Sequence, residues 1–222
     1  MFKHQDIVTT PLFLLFIAFS FLLSVVYYWG RRANKRVFLD AFNDLVDVVR
    51  PDDQRFTNIG GLVGYHANLL INQKDRPFSK VEATITLLPR HSLLYMPISL
   101  MIMRFDRLFI TLHQRGTLAG DGHLIEKRYA GFRAPKITNA HRLEKINIRW
   151  GNHDFLLYFA QLKLRDQLLA FVKKHPDPGT VRHIALVADQ RKCFLFMIPK
   201  KGQVKKNLEP VYRWLSSLTK IG

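Results

Sequence analysis

The chain has 222 residues, 34 Lys and Arg against 17 Asp and Glu, a formal charge of +17 and a pI near 10.3. That length excludes a string of domains and leaves room for one membrane segment and one ordinary domain of roughly 150–190 residues. The charge excludes a neutral solvated surface and points to an anionic partner, either nucleic acid (free or within a ribosome) or the anionic face of a membrane. Cys193 is the only cysteine, so an intramolecular disulfide and a Cys-based zinc site are both excluded.

Residues 12–29 carry no charge over 18 positions and end in Tyr27, Tyr28 and Trp29. As a helix they rise about 27 Å, close to the ~30 Å hydrocarbon core of a bilayer, with the aromatic cluster at headgroup level. A cleaved signal peptide is disfavoured: bulky aromatics stand where small residues would mark cleavage, and the basic cluster follows the apolar run. Lys3 and Asp6 cancel before the segment, whereas Arg31, Arg32, Lys35 and Arg36 follow it with no acid until Asp40. The positive-inside rule therefore puts residues 1–11 outside as a short tail and residues 30–222 in the cytosol as one domain.

Within that domain, Val37, Phe38, Ala41, Phe42, Leu45, Val46 and Val49 recur at helical spacing, which predicts a helix over residues 34–50, continuing the membrane helix or bending at Gly30. Residues 51–64 read as turns. Strands are expected at 65–73 and 81–88, separated by a turn at Lys74-Asp75-Arg76-Pro77; in the second, Val81, Ala83, Ile85 and Leu87 alternate with polar residues. Residues 92–103 are almost wholly apolar but too short to span a bilayer. They are expected to form a buried helix, with a helix in the membrane interface or a Met-rich docking surface as alternatives.

Further strands are expected at 108–112 and 142–150, a loop at 116–122, and a helix at 154–174 with Asp154 as its N-cap and Pro176-Asp177-Pro178-Gly179 as its stop. Two strands at 183–188 and 192–198 and a closing helix at 208–218 complete the reading. Cys193 lies in the apolar part of the second of these strands, as a small buried side chain. Strands mixed with helices, without repeated βαβ alternation, predict an α+β domain.

Nine histidines give no H-E-x-x-H and no recognisable ligand spacing, so neither a metal nor a cofactor is expected. The glycine-containing loop 116–122 is not a Walker A loop, because His123 follows where Lys-Ser/Thr would stand. The stronger signal is charge. From Arg191 onward there are eight Lys and Arg against Glu209 alone. Arg191 and Lys192 open a strand, and Lys200, Lys201, Lys205 and Lys206 cluster in a predicted loop, where they can reach phosphates without reading sequence.

Four stretches carry a family resemblance: Gly30-Arg31-Arg32-Ala33-Asn34-Lys35-Arg36 leading into the first helix; residues 81–88 with the apolar 92–103 and the strand at 108–112; Arg191-Lys192-Cys193-Phe194-Leu195-Phe196; and the last helix with Leu208, Val211, Leu215 and Leu218. In that order they resemble the calumin family, coiled-coil-containing endoplasmic-reticulum proteins that accompany the Sec channel during insertion of multipass membrane proteins. The resemblance is to a compact homologue, without the family's long acidic luminal segment and long basic coiled coil. It implies a non-enzymatic translocon or insertase accessory factor that meets ribosomal RNA near the tunnel exit, in the endoplasmic-reticulum membrane or in the plasma membrane of a prokaryote. Two other readings stand beside it: an anionic-lipid-binding scaffold, and a membrane-tethered enzyme acting on a phosphate-bearing substrate, with the loop 116–122 and the nearby Arg115, His113 and His123 as its site.

Overall fold

The computed structural model describes residues 10–132, 137 and 140–218. Lys3, Asp6 and most of the short tail, together with Lys220, lie outside the described residues. The chain begins with one 39-residue helix, α1 (Pro11–Val49), so the apolar segment and the expected helix at 34–50 are continuous. Pro11 suits the first turn, where its missing N–H has no intrahelical role. Every residue from Leu12 to Trp29 is exposed or half-buried, and this is the one described helix long and apolar enough to cross a membrane. Beyond it, Ala41, Phe42, Leu45 and Val49 form a buried stripe at spacings of one, three and four residues. The helix stops at Arg50, which turns left-handed at φ 48° and donates its N–H to Val46 O, with Pro51 next.

Nine strands form a single antiparallel sheet in the order β1-β2-β3-β4-β9-β8-β5-β7-β6. The first four, β1 (Asp53–Asn58), β2 (Gly64–Leu70), β3 (Phe78–Thr86) and β4 (Arg107–Gln114), make a meander. The hairpin of β8 (Val181–Val187) and β9 (Lys192–Met197) then joins that meander to β5 (Gly122–Glu126), β7 (His153–Phe159) and β6 (Glu144–Trp150). Alternation assigns the two faces. In β9, Cys193, Leu195 and Met197 belong to the main core, packed against α1, α4 (Leu162–Lys174) and α5 (Val204–Leu218), while Phe196 belongs to a small cluster on the other face with Ile125, Tyr129 and Leu156. Tyr129 lies on α3 (Lys127–Phe132), which covers part of that second face. The domain is therefore α+β, as expected from the sequence.

Four expectations are corrected. Residues 51–64 are not only turns: β1 pairs along β2 as the edge strand, and its all-exposed side chains give no hydrophobic signal. The helix expected at 154–174 is a strand followed by a helix. Asp154 lies in β7, whose apolar run His153–Phe159 is zipped between β5 and β6, and α4 starts only after Gln161. A short apolar run does not distinguish buried strand from helix by itself. The deciding local feature is Gly151-Asn152, a two-residue hairpin turn with Gly151 at φ 58°. The lysine loop is partly helix, since α5 begins at Val204 and includes Lys205 and Lys206. The fourth concerns residues 92–103. Only Met96–Ile102 are helical (α2), Ser99 is the sole buried residue of that helix, and the apolar side chains around it face outward.

Candidate functional site

The expected basic residues fall into three separate groups. Arg31, Arg32, Lys35 and Arg36 are all exposed on α1, within the first two turns beyond the apolar stretch. Arg191 sits in the β8–β9 turn at φ 51°, and Lys192 opens β9 opposite His113. Lys200, Lys201, Lys205 and Lys206 lie beyond the other end of β9, about 20 Å away at the rise of an extended strand. Arg191 and Lys192 thus do not join the four lysines in one patch. All four of those lysines are exposed. Lys205 is fixed to α1: its backbone N–H donates to Asp44 Oδ2 at 3.0 Å and its Nζ to Asp47 Oδ2 at 3.0 Å.

The residues of the enzyme reading are not brought together either. His113 Nε2 bonds Glu82 Oε2 at 2.7 Å, and Arg115 donates to Ile71 O. His123 is buried, with Nδ1 3.4 Å from His183 Nε2. Burial pushes His123 down to about 4 and His183 to about 3, so both stay neutral in the folded protein across the ordinary pH range. Cys193 accepts from Gln114 Nε2 at 3.1 Å, and burial raises its thiol to about 12; it is an inert core side chain.

The base of the apolar helix is built with unusual closeness. Gly30 lies against the chain at Arg90 and His91, and Tyr27 meets the His91 ring edge-on at 5.9 Å between centroids. One turn further, buried Asn34 donates to Leu88 O (2.9 Å) and Leu62 O (3.1 Å), and accepts from Arg90 Nη1 (2.9 Å). Arg90 also forks onto Asp106, at 2.9 and 2.7 Å, while Asp106 Oδ1 accepts the Leu88 N–H at 2.8 Å. This clasp closes residues 90–106 into an excursion that leaves and re-enters the domain at the foot of the apolar helix. Its crest carries Leu94, Tyr95, Ile98 and Met101, the last 85% exposed.

Beside that crest lies a feature the sequence did not disclose. A cleft of about 470 Å³ is lined by Met101, Ile102 and Phe105, by Arg104, Arg107, Arg128 and Arg182, and by Glu126, His153 and Tyr129. These residues come from the end of α2, the start of β4, the β5–α3 junction and the starts of β7 and β8. Their separation along the chain left no local pattern to find. Among the described residues, no group of three or more His, Cys, Asp or Glu is placed to hold a metal ion.

No protein-family model matches the chain, and no curated protein matches it. Among solved structures, it is similar to the crystal structure of the mycobacterial trehalose monomycolate transport factor A, with a TM-score of 0.39 and 13% identity over 69% of this chain and 70% of that one. A likeness of that size does not bear on function.

Proposed function

We propose that this protein is a non-enzymatic, membrane-anchored accessory factor of protein translocation. Its basic cytosolic domain binds the ribosome near the tunnel exit and stands beside a Sec translocon or insertase while multipass membrane proteins insert. The membrane is that of the endoplasmic reticulum, or the plasma membrane in a prokaryote.

The observation that carries this reading is the height of Lys205 and Lys206, the helical half of the lysine cluster. Lys205 is held by Asp47, which lies 17 residues beyond Gly30 on an unbroken helix, or roughly 26 Å along its axis. The Debye length at physiological salt is only about 8 Å, so Lys205 and its neighbour Lys206, at that height, are electrostatically remote from a headgroup layer at Gly30. Their favourable counter-charge is a soluble polyanion, and ribosomal RNA is the one a translocon-associated domain meets. At the other end of the domain, the exposed crest at Leu94–Met101 lies level with the end of the span, where it suits the bilayer interface.

Cosedimentation with ribosomes in detergent, across a salt series, tests the reading. Changing Lys200, Lys201, Lys205 and Lys206 to Gln is expected to weaken ribosome binding and to flatten its dependence on log[salt], each phosphate contact contributing roughly 0.7–0.9 to the slope. Unchanged affinity and slope would remove this cluster from the account.

A further inference from the structure

We infer that the arginine-lined cleft beside α2 binds the phosphate headgroup of an anionic membrane lipid, with the lipid's acyl chains running out over the apolar crest. The site does not depend on the ribosome reading, and its residues are distinct from the lysine cluster.

Four observations converge on it. The first is charge without compensation. The cleft gathers Arg104, Arg107, Arg128 and Arg182 around one acid, Glu126, whose two oxygens are already engaged, by His153 Nδ1 at 2.9 Å and by Arg182 Nε at 3.2 Å. Arg104, Arg107 and Arg128 have no carboxylate partner among the described residues, and Arg107 Nε is buried without a hydrogen-bond partner there. A buried guanidinium nitrogen left unpaired is costly unless a ligand oxygen completes it. Guanidinium forks match phosphate oxygens bidentately, which makes an arginine cluster the natural cradle for that group.

The second observation is a donor in the lining, Tyr129, which is buried. Burial raises the Tyr129 phenol, so its hydroxyl stays protonated and is available to a phosphate oxygen. The third is the apolar half of the cleft: Met101, Ile102, Phe105 and Ile198 line it, and Met101 and Ile102 continue directly into the exposed crest. A free phosphate or nucleotide has no use for such a wall, whereas a lipid has a polar and an apolar part to match both. A volume of about 470 Å³ is within the usual range for small-molecule sites.

The fourth is position. Arg104 precedes by two residues the Asp106 carboxylate that Arg90 ties to Asn34, and Asn34 is four residues, about 6 Å, beyond Gly30 along α1. The cleft therefore opens on the Asn34 side of the sheet, at the foot of the apolar helix, where headgroups lie.

The test uses the full chain in dodecyl maltoside micelles, with phosphatidylglycerol, phosphatidylcholine and inorganic phosphate as probes, and native mass spectrometry and fluorescence titration as readouts. One phosphatidylglycerol per chain is expected, with at least tenfold preference over phosphatidylcholine. Arg104 and Arg128 are exposed, so R104Q/R128Q should keep the wild-type thermal midpoint and ribosome binding while losing at least tenfold in phosphatidylglycerol affinity; R107Q should lose a similar factor. M101S/I102S should weaken phosphatidylglycerol and leave inorganic phosphate unaffected. Unchanged phosphatidylglycerol affinity in R104Q/R128Q would overturn the proposal. So would complete displacement of the lipid by millimolar inorganic phosphate together with indifference to M101S/I102S, which would mark a site for a soluble phosphate.

Discussion

Gly30 approaches Arg90 so closely that a Cβ on Gly30 would stand 2.2 Å from the Arg90 carbonyl carbon and 2.3 Å from His91 N. Both obstacles are backbone, so no side chain can swing aside to make room. This contact is where the apolar helix and the sheet domain become one body, and it demands the one residue without a Cβ. Gly30→Ala is expected to cost at least the 1–3 kcal/mol typical of overpacking, and Gly30→Val more. Thermal unfolding in detergent measures it; a midpoint unchanged from wild type would show that the helix does not seat on residues 90–91.

Asp106 holds the same junction from the other side. It is 6% exposed and binds both Arg90 and the Leu88 N–H. Asp106→Ala strips the partly buried Arg90 of its carboxylate, leaving it only the Asn34 oxygen, and leaves the buried Leu88 N–H unpaired, with an expected loss of about 3 kcal/mol. Asp106→Asn, which keeps an acceptor, should lose less. Equal midpoints for both variants would contradict the assignment.

Stability should fall with acid through the histidine pair. In the unfolded chain both histidines titrate near 6.5, but burial lowers His123 to about 4 and His183 to about 3 in the fold. The unfolded state therefore binds more protons below pH 6.5. Stability present above that pH drains away as pH falls towards 4 and 3, by up to about 1.4 kcal/mol per pH unit for each group. Urea midpoints for wild type and H123Q/H183Q, compared between pH 7.5 and 4.5, check this. The variant's pH dependence should be shallower; parallel curves would exclude the pair as its source.

The charges flanking the apolar helix predict its orientation. With Arg31, Arg32, Lys35 and Arg36 on its C-terminal side, protease added to intact cells or sealed microsomes should leave the domain beyond Gly30 uncut. Digestion from the outer or luminal side would refute the orientation.

The domain cut free at Gly30 should fold cooperatively, because its core lies wholly downstream of that residue. It should also self-associate through the crest, where Leu94 is 70% and Met101 85% exposed. Leu94→Ser with Met101→Ser should relieve this without moving the thermal midpoint. Aggregation that persists in the double variant would locate the sticky surface elsewhere.

Residues 92–103 show where sequence reasoning reached its limit. An apolar segment too short to span a bilayer reads by default as a buried helix, with the membrane interface and a docking surface as the alternatives. The fold, however, clasps its two ends through Arg90 and Asp106 at the foot of an apolar helix, and leaves the crest outside the core. Hydrophobicity was legible there, but not which apolar medium would receive it. The lysine cluster shows a similar split. Its charge was plain in the chain, but the place of Lys205 and Lys206 along α1 depended on the contacts between Lys205, Asp44 and Asp47, in two elements more than 150 residues apart.

The sequence by itself determined the apolar helix, the alternation that puts Val81, Ala83, Ile85 and Leu87 on one face of β3, the β8–β9 hairpin, the burial of Cys193 and the excess of basic charge. Each is written within one element, as a period, a turn or a composition. Only the tertiary structure decided that β7 is zipped between β5 and β6, that β9 lies between β4 and β8, and that Arg104, Arg107, Arg128 and Arg182 share one cleft. These depend on pairings between distant segments, because a strand is completed by its neighbours' N–H and C=O groups, and a site by whichever strand ends the sheet order brings together.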